Sequence, residues 1–213
     1  MMFLNILVLA LVWVVRLISC IPRVTVSRVT VSRSAPINSY ALANITWEGS
    51  LTEDGPTVSF TGQSMAEIRS EINKVAPGFT WPEPVTQSPH GTTRTLVKNS
   101  EHRILCNKVT RAYADYYHIL DQAAQLQAMP GFCRVSPTLD GQPLSCNRLT
   151  CTGGSGIYLC NHSDNHDSIS TCARVGQYAE EIVTWCYDGA TSNVKGQIYD
   201  GDYWSVMVHA DNC

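Results

Sequence analysis

The chain has 213 residues, a formal net charge of −3 and only 15% charged residues. Because it contains no basic stripe, this composition argues against nucleic acid as its main partner. The hydrophobic fraction of 44% is enough for a sizeable core and argues against a chain that is disordered over most of its length.

The first predicted element is a targeting segment. The apolar run MMFLNILVLALVWVV is broken by Arg16 and ended by Pro22. A spanning helix needs about 20 apolar residues, so the run predicts a signal peptide over residues 1–20, cut near Cys20, with a retained membrane anchor as the alternative. Signal cleavage would leave a secreted, extracellular protein without stable membrane insertion. The repeated motif in RVTVSRVTVSR predicts a flexible leader or removable pro-segment over residues 21–35.

Cysteines and sequons support the same secretory route. If Cys20 leaves with the signal peptide, eight cysteines remain, all after residue 105. An even number in a secreted chain predicts four disulfide bonds, and the spacing leaves about 105 pairings open. Two sequons predict a glycoprotein modified at Asn44 and Asn161. The predicted disulfide cysteines are Cys106, Cys133, Cys146, Cys151, Cys160, Cys172, Cys186 and Cys213.

Residues 36–213 are predicted to form one secreted α+β domain. Its cysteine-free N-terminal block covers residues 36–83, and its disulfide-rich part covers residues 94–213. In the first block PTVSFTG predicts a strand, and Ser64 with Glu67 forms a capping box at the start of a helix. The Pro-rich stretch WPEPVTQSPHG predicts an irregular connection. The apolar face of the helix is predicted to consist of Met65, Ile68, Ile72 and Val75.

The disulfide-rich part is predicted to begin with a strand or hairpin ending at Cys106. The longest predicted helix covers residues 108–129 and ends at Pro130-Gly131. GFCRVS predicts a strand, and residues 136–154 predict a loop held in place by its two cysteines. The apolar stripe of the long helix is predicted to consist of Val109, Ala112, Tyr116, Leu120 and Ala123.

The last predicted elements are a strand at SGIYLCN, a helix over residues 172–186, and two strands around Asp200-Gly201-Asp202. Cys172 and Cys186 would lie about 21 Å apart along the helix, too far to bond each other. Each therefore has to join this helix to another element.

The segment YLCNHSDNHDSISTC between these elements carries metal-ligand residue types. His162 and His166, with Asp164 or Asp167, could bind zinc, but the i, i+4 spacing joins two histidines only on a helix, and this segment is typical of a loop. The favoured interpretation is a capping loop in which side chains accept hydrogen bonds from the free N–H groups of the next helix. A contact surface for a partner is the third alternative. The expected caps are Asp167, Ser168 or Ser170.

The sequence patterns that could indicate a catalytic site are weaker than the pattern of metal-ligand residues. His209 and Asp211 flank one residue of a strand and should share a face, but no nucleophile is marked. Glu180 and Glu181 are neighbours on a helix, so they face different sides and are predicted to be solvated. The sequence therefore predicts no enzyme, no catalytic residue, no metal and no cofactor. The predicted place of Trp47, Trp81, Trp185 and Trp204 is the core or its edge, with stacking on sugars as the alternative.

The motifs NITWEGSL, PGFCRVS, GIYLCNHSDN and GQIYDGDYWSVMVHADNC resemble those of a group of uncharacterised cysteine-rich secreted proteins of filamentous fungi, from about residue 40 onward. Two recurring motifs of that group correspond here to Cys160-Asn161 with Asn165, and to Val206, Val208, Asp211 and Cys213. The C-terminal part resembles, more distantly, the smut killer-toxin fold and related necrosis-inducing effectors. That resemblance implies an antiparallel sheet with helices packed on one face, an α/β sandwich.

These observations predict a non-enzymatic effector, or virulence factor, that acts in host colonisation on an unknown host or microbial surface target. The loops over residues 136–154 and 161–168 are the expected recognition surfaces, because loops on a stapled scaffold usually carry binding. The alternative is a killer-toxin-like protein acting on competing microbes, although Arg174 and Lys195 are the only Lys or Arg residues in this C-terminal segment. A secreted enzyme is the third hypothesis.

Overall fold

The computed structural model describes residues 41–82, 102–106, 109, 111–137 and 144–213. The predicted signal peptide, the leader over residues 21–35 and most of the Pro-rich connection lie outside the described residues. Within the described ranges, no helix is long and apolar enough to cross a membrane.

The described residues form three helices and three sheets. The helices are α1 (Met65–Val75), α2 (Tyr116–Ala128) and α3 (Cys172–Cys186). The first strands are β1 (Ala41–Leu42), β2 (Ile45–Ser50), β3 (Thr57–Gly62), β4 (Arg103–Cys106), β5 (Ala114–Asp115) and β6 (Phe132–Val135). The remaining strands are β7 (Ser145–Thr152), β8 (Ser155–Asn161), β9 (Ser168–Thr171), β10 (Tyr187–Asp188), β11 (Asn193–Val194), β12 (Gly196–Tyr199) and β13 (Trp204–Ala210).

The largest sheet has the strand order β1-β7-β8-β13-β12-β4, and all its neighbours are antiparallel except β1 and β7. A four-stranded antiparallel sheet has the order β3-β2-β6-β9, and a small sheet has the order β10-β11-β5. Strands β7 and β8 are joined by Gly153 and Gly154, both at positive φ (57° and 74°). Two left-handed residues are what a two-residue hairpin turn requires, and glycine adopts this conformation without strain.

The helices cover one face of the six-stranded sheet. Ile157, Leu159, Val206 and Val208 from its two central strands belong to the main core, together with apolar residues of all three helices. Since side chains alternate along a strand, the intervening residues point to the other face. That face carries a smaller cluster of Val109, Cys146, Tyr158, Cys160 and Met207. The α+β fold with helices on one face of an antiparallel sheet is confirmed.

The cysteine-free block is part of the same sheet system as the disulfide-rich part. Strand β2 pairs with β6, so that Trp47 lies opposite Cys133. The Trp47 side chain is fully buried, and its Nε1 donates a hydrogen bond of 2.8 Å to the Pro130 carbonyl. This long-range pair joins the two blocks at the centre of the core.

Helix α1 begins as its sequence predicts. Ser64 Oγ accepts a hydrogen bond from Glu67 N (3.3 Å), and Glu67 Oε2 accepts one from Gln63 N (2.7 Å). The capping prediction is therefore confirmed, with the reciprocal bond reaching one residue further back than in the usual box. The predicted apolar face is correct except for Val75, which is 55% exposed.

The long helix is shorter than predicted. Helix α2 begins at Tyr116 because Asp115 caps it, accepting a hydrogen bond from His118 N (3.0 Å). Residues Ala114 and Asp115 form a strand with β11, so Val109 and Ala112 lie outside the helix. The predicted stripe is thus wrong in its first half. The buried face of α2 consists of Ile119, Gln122, Ala123 and Leu126.

The predicted loop over residues 136–154 is also wrong in part. Residues 145–152 form β7, which pairs with β8 along its length. The two cysteines of this segment therefore belong to a strand and not to a stapled loop. Residues 138–143 of the predicted loop lie outside the described residues.

Four disulfide bonds pair all eight predicted cysteines. Both ends of α3 are linked, Cys172 to Cys133 in β6 and Cys186 to Cys106 in β4. The prediction that Cys172 and Cys186 do not bond each other is therefore confirmed. The other two bonds are Cys146–Cys160, across the β7–β8 hairpin, and Cys151–Cys213.

Helices α2 and α3 pack at very short range at one position. A Cβ atom on Gly176 would lie only 2.6 Å from the Ala123 carbonyl oxygen and 2.7 Å from Gln127 N. These are backbone atoms of α2, so they cannot move aside as a flexible side chain would. The absence of a side chain at Gly176 is what allows this close contact between the helices.

Removing a buried disulfide should cost more stability than removing an exposed one. The sequence separations are 39 for Cys133–Cys172 and 62 for Cys151–Cys213, which correspond to about 4 kcal/mol of loop entropy for either bond. Cys133 and Cys172 are fully buried, so truncation there adds a cavity cost on the order of 1–2 kcal/mol.

The test compares the paired variants Cys133→Ala/Cys172→Ala and Cys151→Ala/Cys213→Ala by urea unfolding. We expect the first to be the less stable of the two. Equal or reversed stabilities would show that loop length outweighs burial.

Candidate recognition site

The loop over residues 161–167 is built around a buried asparagine. Asn161 has no exposed surface, and its Nδ2 donates hydrogen bonds to the carbonyls of Val135 (3.1 Å) and His166 (2.8 Å). Its Oδ1 accepts a hydrogen bond from Ser163 N (2.7 Å). Both N–H groups of the Asn161 amide are thus engaged within the fold, and the glycosylation of Asn161 stays a prediction. Asn44 is exposed, and its glycosylation stays a prediction.

Ser163 completes the loop. Its Oγ accepts hydrogen bonds from Asn165 N (3.2 Å) and His166 N (3.3 Å), and it lies 2.8 Å from His166 Nδ1. Asp167 Oδ2 accepts a hydrogen bond of 3.1 Å from Arg134, which fixes the far end of the loop. The conformation of this segment is thus set by its own side chains.

The predicted caps of α3 are wrong. The N-cap is Thr171, whose Oγ1 accepts a hydrogen bond from Arg174 N (3.1 Å). Ser168 and Ser170 lie in β9, which pairs with β6 before the helix begins. Asp167 is engaged by Arg134 instead. The loop leads into a strand and not directly into the helix.

The two histidines of the loop point to different partners. His162 Nε2 lies 2.8 Å from Ser205 Oγ, whereas His166 Nδ1 contacts Ser163. Within the part of the chain that the structure describes, no group of three or more His, Cys, Asp or Glu residues could hold a metal ion. The zinc alternative therefore has no ligand set among these residues.

The contact between Ser205 and His162 was not predicted from sequence, because the two residues lie on different elements. Gln197 Nε2 also donates a hydrogen bond to Ser205 Oγ (2.9 Å), and burial lowers the pKa of His162. A serine beside a neutral histidine has the arrangement of a nucleophile and its base. Ser205, however, is fully buried, so a substrate cannot reach its Oγ in this structure. The contact serves to join the loop to β12 and β13.

Asp211 and His209 do not bond each other in the way a catalytic pair would. Asp211 Oδ2 accepts hydrogen bonds from Arg148 NH1 (2.7 Å) and from the Tyr158 hydroxyl. The His209 ring stacks on Tyr158 at 4.5 Å, and its Nδ1 lies 2.7 Å from the Ala210 carbonyl. Burial would raise the pKa of Asp211, but the hydrogen bonds from Tyr158 and Arg148 outweigh it and lower that pKa. Burial lowers the pKa of His209.

Glu180 and Glu181 face different sides of α3, as predicted, but they are not simply solvated. Glu180 Oε2 accepts a hydrogen bond from Gln127 Nε2 (2.7 Å), which joins α3 to α2. Glu181 Oε2 lies 3.3 Å from His102 Nε2, and burial raises the pKa of this carboxyl. Both carboxylates tie the helix to its neighbours.

Tyr203 presents an exposed ring from an unusual backbone conformation. Its φ is 60°, in the left-handed region, while its side chain is 65% exposed. The Tyr203 carbonyl accepts hydrogen bonds from His162 N (2.9 Å) and Ser168 Oγ (3.3 Å). On either side, Asp200 N donates to the Trp204 carbonyl (2.9 Å), and Asp202 N donates to Asp200 Oδ1 (3.0 Å). The backbone is therefore held firmly while the ring remains in solvent.

Behind this turn, Asp200 anchors it to α3. The side chain of Asp200 is 2% exposed, and its Oδ2 accepts hydrogen bonds from Arg174 NH2 (2.8 Å) and the Tyr178 hydroxyl (2.5 Å). The Arg174 guanidinium also lies over the Trp204 ring, 5.7 Å from its centre. One of the two basic residues of the C-terminal segment is thus part of the framework.

The loop and the turn together form an exposed surface. The His166 ring meets the Tyr203 ring edge-on, with centroids 6.4 Å apart. We call this the Tyr203 surface; it consists of the exposed residues Asp164, Asn165, His166, Asp202 and Tyr203. It combines an aromatic face with hydrogen-bond acceptors, so it can stack on a flat group and accept hydrogen bonds from a polar ligand.

The four tryptophans of the predicted secreted domain divide between core and surface. Trp47 and Trp204 are buried, and Trp81 packs against the core, which confirms the prediction for these three. Trp185 is 61% exposed, so the prediction is wrong there. Stacking on sugars remains open only at Trp185 among the four.

Comparison with protein-family models found no matching family, and comparisons with curated proteins and with solved structures found no match.

Replacing Tyr203 by glycine should stabilise the protein relative to replacing it by alanine. Both variants remove the ring, but only alanine keeps the Cβ that makes φ of 60° unfavourable. The expected difference is about 1 kcal/mol in the free energy of unfolding. Urea unfolding of Tyr203→Gly and Tyr203→Ala measures it. An alanine variant as stable as the glycine variant would show that the turn carries no such strain.

Asp211 should make stability depend on acid pH. Its pKa is lower in the folded chain than its usual value of 3.8, so its contribution is complete above that value and is lost as the pH falls through the lower folded value. Asp211→Asn should cost on the order of 1 kcal/mol at neutral pH, after allowance for solvent screening, and progressively less below pH 3.8.

Unfolding curves of both proteins between neutral and acid pH test this expectation. Asp121→Asn, at an exposed position on α2, serves as the matched control, since it also replaces one carboxyl group by an amide. A cost for Asp211→Asn that stays constant at all pH values would contradict the assigned role.

Proposed function

We propose that the protein is a non-enzymatic extracellular effector, which contacts a target on a host surface through the Tyr203 surface. The observation that carries this proposal is the exposed Tyr203 ring on a left-handed backbone. Left-handed φ costs a residue with a side chain about 1–2 kcal/mol. An exposed ring regains little of this by burial, so stability does not explain why tyrosine stands at this position.

The neighbouring glycine strengthens the point. In a turn with the sequence Asp-Gly-Asp-Tyr, glycine is the residue that adopts positive φ without strain. Gly201 is not among the residues with positive φ, whereas Tyr203 is. The turn therefore places its strained position at the aromatic residue, and strained positions in folded proteins are concentrated at functional sites.

The chemistry of the surface favours a polar target. Asp164 and Asp202 offer carboxylates, and Asn165 offers both a donor and an acceptor. Tyrosine is enriched at the centres of protein interfaces, since its ring is large and its hydroxyl tolerates solvent. A target rich in hydroxyl or amino groups would satisfy this combination.

Extracellular action is supported by the four disulfide bonds, which are typical of secreted proteins. The resemblance to secreted fungal proteins supports the effector role. The killer-toxin alternative gains no support from the two basic residues, because Asp200 holds Arg174 and the Lys195 ammonium donates to the Arg111 carbonyl (3.2 Å).

The test uses a strain of the producing organism that lacks the gene, complemented with the wild type, with Tyr203→Gly, or with Tyr117→Ala. Tyr117 is a matched control because it is equally exposed, at 64%, but lies on α2. We expect the wild type and Tyr117→Ala to restore colonisation of the host, and Tyr203→Gly to fail although it is secreted at the same level. Normal colonisation without the gene, or full rescue by Tyr203→Gly, would refute the proposal. Impaired growth of a competitor in co-culture, with host colonisation unaffected, would favour the toxin.

A further inference from the structure

The two N-glycosylation sequons lie in opposite environments. Asn44 is exposed between β1 and β2. The preceding residue is fixed, since Ala43 N donates a hydrogen bond of 2.8 Å to the Cys146 carbonyl and Ala43 O accepts one from Asn147 Nδ2. A glycan on Asn44 would thus extend into solvent from a firmly held backbone.

Asn161 is a structural part of the sheet. It is the last residue of β8 and lies opposite both Ser145 in β7 and Trp204 in β13. A glycan replaces one hydrogen of Nδ2, and the first sugar would occupy the space of the carbonyls of Val135 and His166 to which Nδ2 now donates. The native fold and a glycan on Asn161 are mutually exclusive.

Whether Asn161 becomes glycosylated or is buried in the native fold depends on which of the two steps, modification or folding, occurs first. The residue follows Cys160, which bonds Cys146 only 14 positions earlier across a hairpin with a two-glycine turn. Contacts so local form early in folding. Hairpin closure therefore competes directly with modification of Asn161.

At Asn44, no comparably early folding step competes with glycosylation. Its neighbouring strand β2 needs β6, with Trp47 opposite Cys133, to complete its sheet. That partner is synthesised much later, so Asn44 stays accessible while the chain is being made. Even after folding it remains exposed.

We propose that the folded protein carries its N-glycan on Asn44 alone. Asn161 is a silent sequon, protected by rapid closure of the β7–β8 hairpin, and any chain modified there fails to reach the native state. The sequon at Asn161 exists because the asparagine and Ser163 are needed to build the loop.

The chain is expressed in a eukaryotic secretory host, and glycan occupancy is mapped by the conversion of asparagine to aspartate on enzymatic release. In the secreted protein with four disulfides, we expect occupancy at Asn44 and none at Asn161. A glycan on Asn161 in that protein, or none on Asn44, overturns the proposal.

Two pairs of variants test the competition. Removing the hairpin bond with Cys146→Ala/Cys160→Ala should raise Asn161 occupancy in the protein retained inside the cell; unchanged occupancy contradicts the kinetic part. Asn44→Gln and Asn161→Gln each remove one sequon. Asn44→Gln should reduce the mass of the secreted protein by one glycan without a loss of thermal stability. Asn161→Gln should leave the glycan mass of any secreted protein unchanged but reduce the yield and the thermal stability of that protein. Equal stability of the two variants refutes the structural role of Asn161.

Discussion

Helix α3 is fixed at both ends by covalent bonds, and the arrangement of the two larger sheets depends on this constraint. Cys172 joins its first residue to β6 of the four-stranded sheet, and Cys186 joins its last residue to β4 at the edge of the six-stranded sheet. Helix α3 therefore links the two sheets covalently through its two ends. Helix α2 can pack against it only at the distance that Gly176 permits, which sets the depth of the core beneath the central strands.

Helix α3 also explains why the exposed turn at residues 200–203 is held in place. Asp200 reaches back to Arg174 and Tyr178, both on α3, so the turn before β13 is held by the same helix that holds the sheets. The loop on the other side is held by the buried amide of Asn161. The Tyr203 ring thus stands on a backbone held by these hydrogen bonds, and such preorganisation reduces the entropy that binding would cost.

Much of this fold can be read from the sequence because its signals are local. The capping box at Ser64, the helix over residues 172–186 and the strand at SGIYLCN depend largely on neighbours in sequence, and all three are predicted. Asp115 as a cap and β7 as a strand were missed. Asp115 lies in a short strand whose partner, β11, comes from a distant part of the chain. Strand β7 pairs with the adjacent β8, but its mixture of polar residues and cysteines shows no regular apolar pattern.

The candidate recognition site could be predicted only in part. The polar loop is evident from its composition, but its contact with the turn at Tyr203 depends on the backbone hydrogen bond from His162 N to the Tyr203 carbonyl. The conformation of Tyr203 is the least predictable feature, since Gly201, two residues earlier, is the residue to which sequence rules assign a left-handed φ. The disulfide pairing likewise follows from the topology and not from the spacing of the cysteines.

The disulfide pattern has a consequence for the fate of a damaged molecule. The loops closed by Cys106–Cys186 and Cys151–Cys213 overlap, so every peptide bond between Cys106 and Cys213 lies inside at least one covalent ring. A protease that cuts once in this region releases no fragment, because the two new chain ends remain joined through sulfur. Within this part of the chain, a molecule that is cut once therefore keeps all its pieces covalently linked, so its native contacts can persist after cleavage.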